Sequence, residues 1–185
     1  MEYHIDLPLS REKNAPLLPG DAVYLSGVLY TARDAAHKKM DELLDAGKPL
    51  PFPLEDSLIY YVGPTPAAPG RVIGSAGPTT SYRMDAWAPR LLCLGLRGMI
   101  GKGRRSEEVV RAMQWAGAVY FGAIGGAGAL LAECIKDSEV IAFAELGAEA
   151  VRRLTVKEFP VTVVIDSRGE NLYQTGRHAY LMSKK

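Results

Sequence analysis

The chain has 185 residues, 48% of them hydrophobic, and a mean hydropathy of −0.02, which reads as globular and soluble. Its 22 basic and 21 acidic residues leave a net charge of +1, so no general field draws it to nucleic acid or to an anionic membrane, and any anion must be held by local geometry. Two cysteines, and three histidines at His4, His37 and His178 without zinc spacing, give the chain no iron–sulfur or zinc ligand set of its own, so a metal would have to come with a partner.

In chain order, Tyr3–Pro8 alternates like an edge strand and ends at a proline. The turn 16–21 leads into a strand over Ala22–Tyr30. Thr31-Ala-Arg-Asp34 has the Ser/Thr-x-x-acid form of a helix start, and helix-period apolar residues follow to Gly47. After a proline-rich loop, Leu58–Gly63 is a buried strand, 64–70 a rigid turn, and Arg71–Gly74 a second strand. Met84–Leu96 reads as a helix interrupted by Pro89, Gly98–Gly103 as a short strand into a glycine turn, and Ser106 as the cap of a helix reaching Ala116. Ala118–Phe121 is a strand, Gly128–Ile135 a small-residue helix opened by Gly125-Gly126, and Val140–Phe143 a strand. Ala148–Leu154 reads as a short helix, Pro160–Asp166 as the strongest β run, and Gly169–Tyr173 as a hairpin return. This interleaving predicts one α/β domain over residues 1–185, layered β/β/α with a mixed sheet. The charged opening Met1–Asp6 and the glycine-broken stretch Ala116–Ile135 predict neither a signal peptide nor a membrane span, which makes the cytoplasm the expected compartment. Cys93 and Cys134 sit in apolar runs and are expected to be core thiols.

Three polar clusters fall where predicted strands end: Tyr30–Lys38, Gly74–Asp85 and Gly101-Lys-Gly103. In the second, two glycines and Pro78 set a sharp backbone expected to free consecutive N–H groups for an anion, with Thr79, Thr80, Ser81 and Arg83 adding donors. Arg33 and Arg83 are able to grip carboxylates bidentately, and Lys102 offers a mobile charge, which together suit a small dicarboxylate or phosphate. Each residue also has a plainer role open to it: Arg33 pairing with Asp34 on a helix surface under a Thr31 cap, Lys102 as a solvated turn residue, the Thr-rich loop as a helix cap. His37 is expected to pack rather than react, and Arg104 and Arg105 to face solvent. The spacing around Lys102 fails the P-loop pattern, and Gly126-Ala-Gly128 lacks the third glycine of a dinucleotide fingerprint.

The strings Tyr30–Lys38, Tyr61–Ala67, Gly74–Asp85, Ile100–Gly103 and Phe159–Val161, in this order, resemble the C-terminal domain of class I fumarases, equivalent to the β subunit of two-subunit fumarate hydratases and L(+)-tartrate dehydratases. The resemblance implies a swivelling β/β/α fold and a hydro-lyase whose [4Fe-4S] cluster is held by a larger α subunit, not by this chain. It implies fumarate, malate or tartrate as substrate and a homodimeric or α2β2 assembly. It implies that Arg33, Thr79, Arg83 and Lys102 hold the substrate, that Thr80 is the base, and that Asp34 is an acid adjoining the site.

Overall fold

A computed structural model describes residues 1–123 and 127–176. The predicted Gly125-Gly126 opening of a helix and His178 lie outside the described residues. The strands are β1 (Glu2–Asp6), β2 (Ala22–Thr31), β3 (Leu58–Tyr60), β4 (Gly98–Gly101), β5 (Val119–Gly122), β6 (Ile135–Ala142) and β7 (Val151–Ile165). The helices are α1 (Arg11–Asn14), α2 (Asp34–Asp45), α3 (Ala88–Cys93), α4 (Glu107–Ala116) and α5 (Gly128–Glu133), with 3₁₀ turns over Ser81–Met84 and Ala144–Glu149.

The strand order is β1-β2-β3-β4-β5-β7-β6, and β7 also pairs with β2. β1 to β5 pair in parallel, while β7 runs antiparallel to β2, β5 and β6. The parallel layer therefore meets an antiparallel one through shared strands. Side chains alternate between the two faces, as period-2 backbone requires: Leu58, Tyr60 and Val62 join one apolar cluster, Ile59 and Tyr61 the other. The first cluster draws on both layers, with Leu25, Leu29, Ile100 and Phe121 packed among Leu154, Phe159 and Val163. The second is closed by helices, through Ala36 and Met40 of α2, Leu91 and Leu92 of α3, and Val109 and Met113 of α4. This is the mixed β/β/α layering expected.

Several local expectations are corrected. Arg71–Gly74 forms no strand, because β2 and β4 already occupy both edges of β3; instead the Arg71 amide turns back to the Ala68 carbonyl at 3.0 Å. Ala148–Leu154 is no helix. Ala148 and Glu149 end a 3₁₀ turn, while Val151–Leu154 belongs to the 15-residue β7, paired by β6 throughout and by β2 from Arg152, a ladder that outweighs the helix propensity of Arg152, Arg153 and Leu154. The helix over Met84–Leu96 is split, because Pro89 lacks an N–H and fits only the first turn, where α3 begins anew. α5 stops at Glu133, and β6 begins at Ile135, five residues before the expected strand. The hairpin return shrinks to one bridge, Ile165 to Asn171, with 172–176 helical. Thr31 does not cap α2: its hydroxyl donates to the Ala150 carbonyl at 3.3 Å and accepts from the Arg152 amide at 3.0 Å, so β7 consumes it. Cys93 is exposed, since the short α3 turns Ala88, Leu91 and Leu92 inward and leaves its last residue outside; Cys134 is half-buried. Ser106 caps α4 as expected, accepting from the Val109 amide at 3.3 Å.

Candidate functional site

Because β2, β3 and β4 are parallel, their C-terminal ends open on one edge, where loops and helix N-termini gather. β2 delivers Arg33 in extended backbone (φ −120°, ψ −165°) directly before α2. Arg33 gives α2 no side-chain cap. Glu149, from the 3₁₀ turn before β7, serves instead: one carboxylate oxygen accepts the Ala35 amide at 3.0 Å and the other lies 3.3 Å from Arg33 Nη2. A Cβ on Gly63 would stand 2.6 Å from Arg33 Nη1, so glycine there leaves the guanidinium its room.

The stretch Gly74–Asp85 inserts between the ends of β3 and β4. Pro78 bridges Val62, Thr79 donates its amide to the Tyr61 carbonyl at 2.7 Å, and Thr80 bridges Lys102 in parallel. Around that bridge the Ser81 amide donates to the Lys102 carbonyl at 2.9 Å and the Lys102 amide to the Thr79 carbonyl at 3.3 Å. The amides of Ser75 and Ala76 are also spent, on Thr65 Oγ1 at 2.8 Å and the Gly128 carbonyl at 3.0 Å. The expected row of consecutive free N–H groups is therefore corrected: the amides of Ser75, Ala76, Thr79 and Ser81 are given to neighbouring chain, which leaves the side chains as the main groups to face a ligand. The 3₁₀ turn then brings Arg83 back, and its Nε donates to Asp34 Oδ1 at 2.8 Å. Thus the Asp34–Arg83 pair joins the first segment to the second, and the Thr80–Lys102 bridge joins the second to the third. Arg33, Asp34, Thr79 and Thr80 are half-buried, and Arg83 and Lys102 are exposed.

Arg33 Nε and Asp34 Oδ2 are buried with no hydrogen-bond partner among the described residues and lie 3.9 Å apart, too far to satisfy each other. Burying such groups unpaired costs about 1–3 kcal/mol each, which is tolerable where a polar ligand completes them.

Beneath the two loops lies a layer that sequence reasoning missed. Ser81 Oγ accepts from the Lys102 amide at 3.1 Å and from the Tyr120 hydroxyl at 2.9 Å; the same hydroxyl is 3.0 Å from the Gly103 carbonyl. Arg105, expected in solvent, has a side chain with 0% exposure, paired with Asp85 at 2.7 Å. It is buried because its guanidinium lies over the rings of both Tyr61 and Tyr120, 5.3 and 5.1 Å from their centroids. Burial raises the pKa of both tyrosines, so they remain hydroxyl donors. His37 is fully buried against Tyr61 and Trp87, with Nδ1 2.9 Å from the Arg33 carbonyl, and burial lowers its pKa to about 4, so it stays neutral. No motif in the sequence marks Glu149 or Tyr120, and Ser81, expected as a donor toward an anion, is instead engaged beneath the loops by the Lys102 amide and the Tyr120 hydroxyl; the glycines around Lys102 are the one local sign of crowding there.

Among the described residues no three His, Cys, Asp or Glu side chains group as a metal-ion site, and Cys93 and Cys134 lie on α3 and just past α5. The residues described therefore do not fit as the holders of a four-iron cluster. No helix of the described residues is long and apolar enough to cross a membrane.

A family model for the fumarase C-terminus matches residues 2–176. The chain is 42% identical over 156 residues to fumarate hydratase 2 of Leishmania major, covering 83% of the chain and 28% of that protein. It is 42% identical over 152 residues to the anaerobic class I fumarate hydratase of Escherichia coli strain K12, covering 81% of the chain and 28% of that protein. To a putative L(+)-tartrate dehydratase subunit beta of Methanocaldococcus jannaschii it is 39% identical over 180 residues, 94% of the chain and 92% of that protein. The chain thus spans under a third of the fumarate hydratases it matches and nearly all of the dehydratase subunit.

Proposed function

The chain belongs to the fumarase C-terminus family, and on that premise we propose that it is the β component of an iron–sulfur hydro-lyase that reversibly hydrates fumarate to (S)-malate. The observation carrying this reading is the joining of the three cation-bearing segments at one sheet edge by the Asp34–Arg83 pair and the Thr80–Lys102 bridge. The near end-to-end match to a dehydratase β subunit supports a separate α partner. That partner carries the [4Fe-4S] cluster, which supplies Lewis acidity toward the departing hydroxide. The complete enzyme is α2β2 or is built on a β homodimer.

In this reading Arg33, Thr79, Arg83 and Lys102 hold the substrate carboxylates and hydroxyl. Removing a proton from the carbon next to a carboxylate builds negative charge on that carboxylate, and fixed cations stabilise it most in the transition state. Thr80 takes that proton, and the surrounding cations favour the ionised hydroxyl that this requires. Asp34 holds Arg83 in place and keeps one oxygen free for the site.

The second reading is dehydration of L(+)-tartrate, favoured by the coverage of the dehydratase subunit; an added hydroxyl changes only local hydrogen bonding. Producing the chain with its α partner without oxygen, and assaying fumarate, malate and L(+)-tartrate, separates the two. Arg83→Ala and Thr80→Ala are each expected to lower kcat/KM by about a hundredfold or more. Undiminished turnover in both would remove the site assignment. Tight fumarate binding by a chain that finds no partner would instead indicate a non-catalytic binding module.

A further inference from the structure

The loop bearing Thr79 and Thr80 and the loop bearing Lys102 leave different strands, and they touch through only a few bonds. Both rest on the same buried group. Asp85 ends the first loop, and its two oxygens are divided: Oδ1 takes Arg105 Nε at 2.7 Å and Oδ2 takes the Ser106 amide at 2.6 Å. Arg105 follows Lys102 by three residues, and its guanidinium lies over the rings of Tyr61 and Tyr120 while Nη2 reaches the Tyr61 hydroxyl at 3.4 Å. Tyr120 in turn holds Ser81 Oγ, the residue after Thr80, and the Gly103 carbonyl, the residue after Lys102. Tyr61 holds the Thr79 amide through its carbonyl.

We propose that Arg105 is a positioning residue that fixes the register of Thr80 against Lys102, through Asp85 and through the two tyrosine rings it stacks on. The catalytic half of this proposal rests on the hydro-lyase reading; the register half does not. A planar fork serves this end and an ammonium does not, because only the guanidinium stacks on both rings while giving Nε to the carboxylate. Taking a buried charge from its partner is costly, so the pair is held firmly once formed. Burial itself favours the neutral form, yet the Asp85 carboxylate at 2.7 Å outweighs it, and Arg105 keeps its charge.

The test compares wild type, Arg105→Lys and Arg105→Met. Amide hydrogen exchange on the full chain is expected to quicken at Ser81 and Lys102 by about tenfold or more in both variants, with the β7 amides of Leu154 and Val163 unchanged. In the assembled enzyme, kcat per cluster-loaded site is expected to fall by about a hundredfold in Arg105→Met, while KM stays within a few-fold because Arg33 and Arg83 are intact. Unchanged exchange at Ser81 and Lys102 would overturn the proposal. So would quickening spread evenly through β7, which marks general loosening, or selective quickening with wild-type kcat. If the wild-type assembly turns over no dicarboxylate while exchange quickens selectively, the register role stands and the hydro-lyase reading fails.

Discussion

His37 shows how one side chain links the site to the stability of the fold. It lies one turn into α2, fully buried, with Nδ1 on the Arg33 carbonyl and Nε2 without a partner among the described residues. In the unfolded chain a histidine binds its proton near 6.5; here burial, aided by the nearby Arg105 charge, holds the pKa down at about 4. Between these values the unfolded chain takes up a proton that the folded chain refuses. The contribution of His37 is therefore complete above about pH 6.5 and is lost as pH falls toward 4, by up to about 3 kcal/mol. Urea unfolding at about pH 7 and about pH 4.5 should show that loss in wild type and a flatter dependence in His37→Gln. Equal slopes would mean that His37 titrates in the folded chain as an exposed residue does.

At the scale of elements, a loop acts as a strand. The stretch Gly74–Asp85 gains its shape from pairing to Val62 and Lys102, and the close approach of Ser81 to β4 demands a residue without a side chain at Gly101, where a Cβ would run into Ser81 Oγ. Gly101→Ala is expected to cost about 1–3 kcal/mol by overpacking, read as a lower urea midpoint. It should also lower turnover beyond what the stability loss explains, because Ser81 carries Thr80 with it. An unchanged midpoint would show that Ser81 moves aside freely. α2 shows the same dependence on distant chain, since Glu149, more than a hundred residues away, caps its Ala35 amide.

Over the whole molecule, β7 decides the architecture. Its two halves pair with β2 along one side and with β6 and then β5 along the other, so the antiparallel layer folds over the parallel one and encloses the first apolar cluster. Phe159 sits fully buried in that cluster, paired opposite Leu25 and edge-on to Tyr60 at 5.4 Å. Phe159→Ala is expected to cost about 3–5 kcal/mol, measured by denaturant unfolding. A loss well below that would mean the two layers close up around the cavity.

What the sequence determined by itself was the local chemistry and the class of fold. Alternation and capping marked most strands and helices, and the glycine–threonine stretch with Arg33 and Lys102 marked the candidate site, because backbone propensity and side-chain type act over a few residues. Only the tertiary structure decided what depends on distant neighbours. The 151–154 segment became strand because β2 and β6 offered a ladder on both sides, and Arg71–Gly74 did not because β3 had no edge left. Arg105 went inside because two tyrosines and an aspartate from other elements surround it, and Glu149 reached Arg33 only through the fold. The burial of a charge and the pairing of a strand are both set by what lies opposite in space, and in this chain that is residues tens to more than a hundred positions away.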